Sequence, residues 1–208
     1  MMSSDLRKRL ADMAKEFPFK NHEVWDILLY GSFLKGKEKP KDLDISVIVK
    51  EGNPFDVAFR FKTLLEEEFP PERLDVKGFL LEEIFDENNL VGFALLVEGY
   101  SLLRDKFLHE ELNAGGYFLF RFSYSHFPQS VKMRFLYAYR GRGKSPGVLG
   151  QTDSVELAPG VVLVPVKEFH NFRRFLSLWG LTFEYAPILV GEFKREAGSM
   201  GYFRDDAF

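Results

Sequence analysis

The chain contains no cysteine, which excludes a disulfide framework and every thiolate zinc or iron–sulfur site. It has no apolar run of the length a membrane-spanning helix needs, and its charged N-terminus lacks the apolar stretch of a secretory signal. A cytoplasmic location and the absence of a membrane partner are the expectations that follow. Net charge is also scarce, at −3 over 208 residues, so no global field draws the molecule to nucleic acid and any such binding needs a local patch. The four histidines, His22, His109, His126 and His170, have no metal-ligand spacing and read as surface or capping residues. No internal repeat is visible. What is abundant is apolar material: 46% hydrophobic residues, with 23 phenylalanines, enough to fill one large or two small cores.

The pattern that carries chemistry is Gly31-Ser32 followed by Asp42-Leu43-Asp44. The two lie between strand-like runs, Val24–Tyr30 and Leu43–Lys50. Side chains of a strand alternate between faces, so Asp42, Asp44 and Ser46 share one face while Leu43, Ile45 and Val47 suit a core. Neighbouring carboxylates repel each other and lose hydration when left unpaired. A hard dication removes both costs, and Mg²⁺ favours one or two carboxylates together with substrate phosphates and water. A tight Gly-Ser turn offers backbone N–H groups to an anion, and a short helix beginning at Ser32 would add its positive end. A third strand, Arg73–Phe79, places Asp75 between Leu74 and Val76, on a polar face. The other reading of Asp75 is a surface charge paired with Arg73 or Lys77; together with Asp42 and Asp44 it completes a candidate metal site.

The runs Leu29-Tyr30-Gly31-Ser32-Phe33-Leu34-Lys35-Gly36 and Lys41-Asp42-Leu43-Asp44-Ile45-Ser46-Val47-Ile48-Val49 resemble the signature of the nucleotidyltransferase superfamily, the polymerase-beta-like enzymes and the small minimal nucleotidyltransferases. The resemblance covers about residues 20–110. It implies that Gly31, Ser32 and Lys35 bind the nucleotide, with Leu34-Lys35 standing where many minimal members carry Ala-Arg. It implies that Asp42, Asp44 and Asp75 hold Mg²⁺ or Mn²⁺, and that Asp75 helps to deprotonate the attacking hydroxyl. The expected reaction is transfer of a nucleoside monophosphate, AMP from ATP, to a hydroxyl acceptor with release of pyrophosphate. The acceptor is a protein side chain, an RNA end or a small molecule. The rival expectation is a catalytically silent module of the same fold that binds RNA or a partner protein. A homodimer is the default expectation for assembly.

The order helix (Ser4–Phe17), strand, turn, strand, helix (from Asn53-Pro54), strand is α/β in character, with a mixed sheet expected. Leu81–Glu87 and Leu90–Leu96 read as helical and Tyr100–Leu103 as a short edge strand. Gly115-Gly116 reads as a linker, which divides the chain into a catalytic domain over 1–113, an accessory α+β domain over 114–190 and a tail over 191–208. In the second part an aromatic strand (Tyr117–Tyr124) precedes a helix (Pro128–Tyr139), a basic loop, two short strands (Val155–Leu157 and Val161–Val164), a helix (Pro165–Trp179) and a last strand (Leu181–Val190). The fold class is thus α/β to α+β. The basic loop holds Arg140, Arg142 and Lys144. It offers a contact for RNA or for a nucleotide's phosphate end, or else is a solvated loop at a helix C-terminus. Its Gly-Lys-Ser is not a phosphate loop, because it follows a helix rather than a strand.

Overall fold

The computed structural model describes residues 4–37, 41–86 and 88–191. The centre of the expected lysine-rich loop, Glu87 and the tail after Gly191 lie outside these. Among the described residues no helix is long and apolar enough to cross a membrane.

The first half is built on a five-stranded mixed sheet. Helix α1 (Ser4–Glu16) leads into β1 (Val24–Tyr30), β2 (Leu43–Val49), α2 (Pro54–Leu65), β3 (Leu74–Leu80), α3 (Leu90–Glu98), β4 (Tyr100–Ser101) and β5 (Lys106–Phe107). The strand order is β3-β2-β1-β4-β5. β2 and β3 run parallel, joined by α2, and the other pairs are antiparallel. Both faces of this sheet are covered. α1 and α2 bury Leu10, Ala14, Val57 and Phe61 against Ile27, Leu29, Ile45 and Val47. α3 lies on the opposite side, where Leu95 meets Leu28, Ile48, Ile84 and Leu108. α2 starts where the sequence says, because the Asn53 side chain accepts from Phe55 N–H and Pro54 needs no partner for its missing donor. α3 starts on Asn89, whose Oδ1 takes the N–H groups of Val91 and Gly92 while its Nδ2 donates to Glu83 O at 2.7 Å. Asn89→Ala removes all three bonds and is expected to cost about 1–2 kcal/mol in urea unfolding.

The second half forms a four-stranded antiparallel sheet, order β11-β6-β10-β9. It contains β6 (Ala114–Phe122), α4 (Gln129–Arg140), a two-stranded hairpin of β7 (Gly141–Arg142) and β8 (Ser145–Pro146), a single-turn α5 (Val148–Gln151), β9 (Val155–Ala158), β10 (Val161–Pro165), α6 (Phe169–Leu178) and β11 (Phe183–Gly191). Its core is the destination of much of the phenylalanine. Phe118, Phe120 and Phe122 of β6 meet Phe135, Tyr139, Phe169 and Phe172, largely in edge-on and tilted pairs.

Four expectations change. Tyr100–Ser101 is an interior strand, and the edge is β5, which returns after Asp105 in the left-handed region. Leu81–Glu87 contributes only a short 3-10 segment, Glu82–Phe85. The basic loop is the β7–β8 hairpin, which turns through Gly141 and Gly143 at positive φ. Gly115 and Gly116 are not a linker. They pair with Val190 and Leu189 in the sheet, and a Cβ on Gly116 would lie 2.3 Å from Val97 O and 2.5 Å from His109 Nδ1. The missing side chains let β6 close on the last turn of α3, so Val97 and Phe107 are shared with the second core.

Candidate functional site

The register of three strands assembles the site. Tyr30 of β1 stands opposite Asp44 of β2, and Asp44 opposite Asp75 of β3. One step along the same face come Leu28, Ser46 and Lys77. Leu43, Ile45 and Val47 point the other way into the core, at 2%, 0% and 0% exposure, and this anchoring fixes the carboxylate face. Asp42, at the entrance of β2, is exposed; Asp44 and Asp75 are half-buried.

The short helix expected from Ser32 is one turn of 3-10 helix, Gly31–Phe33, after extended Tyr30, and a single turn contributes little dipole. Its value to the site is steric. Gly31 adopts φ +77°, and a Cβ there would fall 2.0 Å from Asp44 Oδ2. Only glycine lets the Asp44 carboxylate lie against the turn. The Ser32 backbone N–H lies close enough to Asp44 to favour its charged form.

Asp44 is held above the ordinary carboxylate range, first by burial and then by the charges of Asp42 and Asp75, against the opposing pull of Ser32 N–H and Lys77. Lys77 Nζ sits 2.9 Å from Asp75 Oδ2. The Tyr30 phenol is pushed up, chiefly by burial, and it faces Lys77, Ser46, Asp44 and Asp75. Ser46 is fully buried, and its hydroxyl has no well-formed hydrogen bond. A raised acid binds its proton more tightly folded than unfolded. Its stability contribution is therefore present below the ordinary carboxylate pKa and is lost as pH rises through the folded value. Asp44→Asn removes this loss. We expect it to gain stability in urea unfolding at neutral pH, the gain vanishing on acidification through the carboxylate range.

The register sets Asp44 opposite Asp75 and the Gly31-Ser32 bend against Asp44, with Asp42 exposed two residues before Asp44 at the entrance of β2. Lys35 is placed elsewhere. Its Nζ lies 2.9 Å from Glu98 Oε2 and over the rings of Phe118 and Phe169 at 5.7 Å each, on the seam with the second sheet. Arg140, Arg142 and Lys144 belong to the second half of the chain. Arg140 forms a two-pronged pair with Glu156 at 2.8 and 3.0 Å, Arg142 lies 4.8 Å over the Tyr137 ring, and Lys144 is exposed in the hairpin turn. The expected phosphate contact of Lys35 therefore has no support in its surroundings, and the expected patch at 140–144 is partly neutralised.

Sequence reasoning passed over Tyr30 and Ser46, and it took Lys77 only as an ion-pair partner. The alternation Asp44-Ile45-Ser46 and Asp75-Val76-Lys77 already put these side chains on one face.

Among the described residues no three His, Asp or Glu side chains are grouped tightly enough to cage a metal ion by themselves. The donor set is two opposed carboxylates with a third beside them, all hard oxygen, and it suits an ion that brings further oxygens with a substrate. Compared with family models, curated proteins and solved structures, the chain matches none.

Proposed function

We propose that this chain is a metal-dependent nucleotidyltransferase that moves AMP from ATP to a hydroxyl acceptor and releases pyrophosphate. The observation that carries the reading is the register of Asp44 with Asp75 beside the Gly31-Ser32 bend. Mutually repelling acids at that place, half-desolvated, are costly unless a cation uses them. Tyr30 and the buried Ser46 hydroxyl beside it make the same patch polar where a folded core would prefer it apolar.

In the reaction the acceptor oxygen bonds to the α-phosphorus as the bond from that phosphorus to the bridging oxygen breaks, and pyrophosphate carries away the electron pair. Asp42, Asp44 and Asp75 would hold Mg²⁺ or Mn²⁺, which supplies neutralisation of the charge growing on the phosphate oxygens. Asp75 is the more open of the two facing acids in that it lies on the outermost strand, β3, and it takes the hydroxyl proton. Gly31 seats Asp44, and the nearby Ser32 N–H favours its charged form against burial and the neighbouring acids. The second sheet positions an acceptor, whether protein side chain, RNA end or small molecule. A cytoplasmic location, where ATP is at hand, is part of the same proposal.

The test uses ATP labelled at the α or at the γ phosphorus, with Mg²⁺ or Mn²⁺ and candidate acceptors. α-label transferred to an acceptor, with γ-label leaving as pyrophosphate, supports the reading, and so does a thermal shift with ATP and metal that Asp44→Asn abolishes. At a hundredfold excess over Kd that shift corresponds to about 2.7 kcal/mol. A folded wild type that neither shifts nor transfers label overturns the reading and favours the silent binding module.

A further inference from the structure

Lys77 stands two residues after Asp75 on the same face of β3, its Nζ 2.9 Å from Asp75 Oδ2. Its charge also reaches Asp44 and the Tyr30 phenol. The side chains of the pair are 53% and 42% exposed, so as a mere surface bridge it contributes little to stability. Its position is what matters. A single ammonium partly offsets the repulsion between Asp44 and Asp75, and it occupies one of the two Asp75 oxygens that a divalent ion could take. The neighbouring Ser46 hydroxyl, fully buried on the same face beside the Tyr30 phenol, has no well-formed hydrogen bond. A lysine is a compact charge on a flexible four-carbon stem, suited to exchanging a carboxylate for a phosphate within its own reach.

We propose that Lys77 is a placeholder cation that makes metal loading depend on the nucleotide. Without nucleotide it occupies Asp75 against free divalent ions, and with the triphosphate bound it moves onto the phosphate oxygens and yields Asp75 to the metal. This rests on the nucleotidyltransferase reading and names the residue that reads the triphosphate in place of Lys35. The consequence is reciprocal linkage. Nucleotide tightens metal and metal tightens nucleotide by the same factor, and Lys77 supplies part of that factor.

The experiment measures two affinities in the full chain by calorimetry: Mn²⁺ alone, and a non-hydrolysable ATP analogue with Mn²⁺ present. In Lys77→Met, Mn²⁺ alone is expected to bind about tenfold tighter, because a competing charge is gone, and the analogue about tenfold weaker. Lys77→Arg keeps the charge and stays near wild type in both. Unchanged Mn²⁺ affinity in Lys77→Met overturns the placeholder role. If Asp44→Asn then still abolishes Mn²⁺ binding, the parent reading stands without it. A wild type that binds neither Mn²⁺ nor the analogue overturns both. Urea unfolding of Lys77→Met, expected to stay within about 1 kcal/mol of wild type, shows that the affinities are read on a folded protein.

Discussion

Lys35→Met is expected to lower the stability of the chain by about 3 kcal/mol, seen as a drop of roughly 6–12 °C in the thermal midpoint for a protein of this size. Lys35 and Glu98 are 21% and 7% exposed, with Nζ 2.9 Å from Oε2. The contact is ionic rather than a well-aligned hydrogen bond, since Glu98 Oε2 has no hydrogen-bond partner. Removing the ammonium therefore strands a buried carboxylate, whose desolvation nothing else offsets. It also removes a cation from the faces of Phe118 and Phe169. The double variant Lys35→Met/Glu98→Gln takes away the charge as well as its partner and should recover most of the loss, because buried pairs replaced as pairs are often neutral. A single-variant cost below about 1 kcal/mol would class the contact with solvent-exposed bridges and refute the argument. The same residue ties the site to the second sheet. Lys35 O accepts from His170 N–H at 3.0 Å, and Gly36, at φ +81°, passes so close to Lys167 O that a Cβ would fall 2.3 Å away. The segment that follows the Gly31-Ser32 bend is thus held from both halves of the chain.

Much of this arrangement was legible in the sequence, and the parts that were not share a cause. Strands β1, β2 and β3 were readable because one face of each is apolar at every second residue, and a slipped register would expose Ile45 and Val47. The same alternation put Asp44, Ser46, Asp75 and Lys77 on the opposite face. What it cannot supply is which strands lie side by side. The opposition of Asp44 to Asp75 depends on the parallel pairing of β2 with β3, a non-local fact. Lys35 was misplaced for the same reason. Its partners Glu98, Phe118 and Phe169 are far away in the chain, and a lysine after a Gly-Ser turn gives no local sign of turning away from the site. Gly115-Gly116 carried the wrong signal outright. Glycine marks both flexible joints and points where backbone must pass close to backbone, and here the close passage of Val97 O decides. The hairpin at Arg142–Ser145 was hidden by length, since strands of two residues leave no periodicity to read.

If the proposed transfer is this chain's activity, Gly31→Ala is expected to lower it, and the affinity for nucleotide with metal, by at least about a hundredfold while leaving most of the fold intact. Two costs are combined in this substitution. The first is backbone: φ of +77° is unfavourable for any residue with a Cβ, by about 1–2 kcal/mol. The second is local to the site, because the new methyl carbon would lie 2.0 Å from Asp44 Oδ2 and 2.7 Å from its Cγ. β2 cannot yield, since Leu43, Ile45 and Val47 are locked in the core. The Asp44 side chain must swing off the turn instead, losing the Ser32 N–H and its place opposite Asp75. Gly52 separates the two costs. It has φ of +88° with nothing within 4 Å of an added Cβ, so Gly52→Ala bears the backbone penalty alone. Urea unfolding should show losses of similar size in the two variants, with Gly31→Ala the larger, whereas metal-dependent analogue binding should fall only in Gly31→Ala. If both bind the analogue as tightly as wild type, the seating of Asp44 by Gly31 has no functional role, and the carboxylates on this face are not where the nucleotide goes.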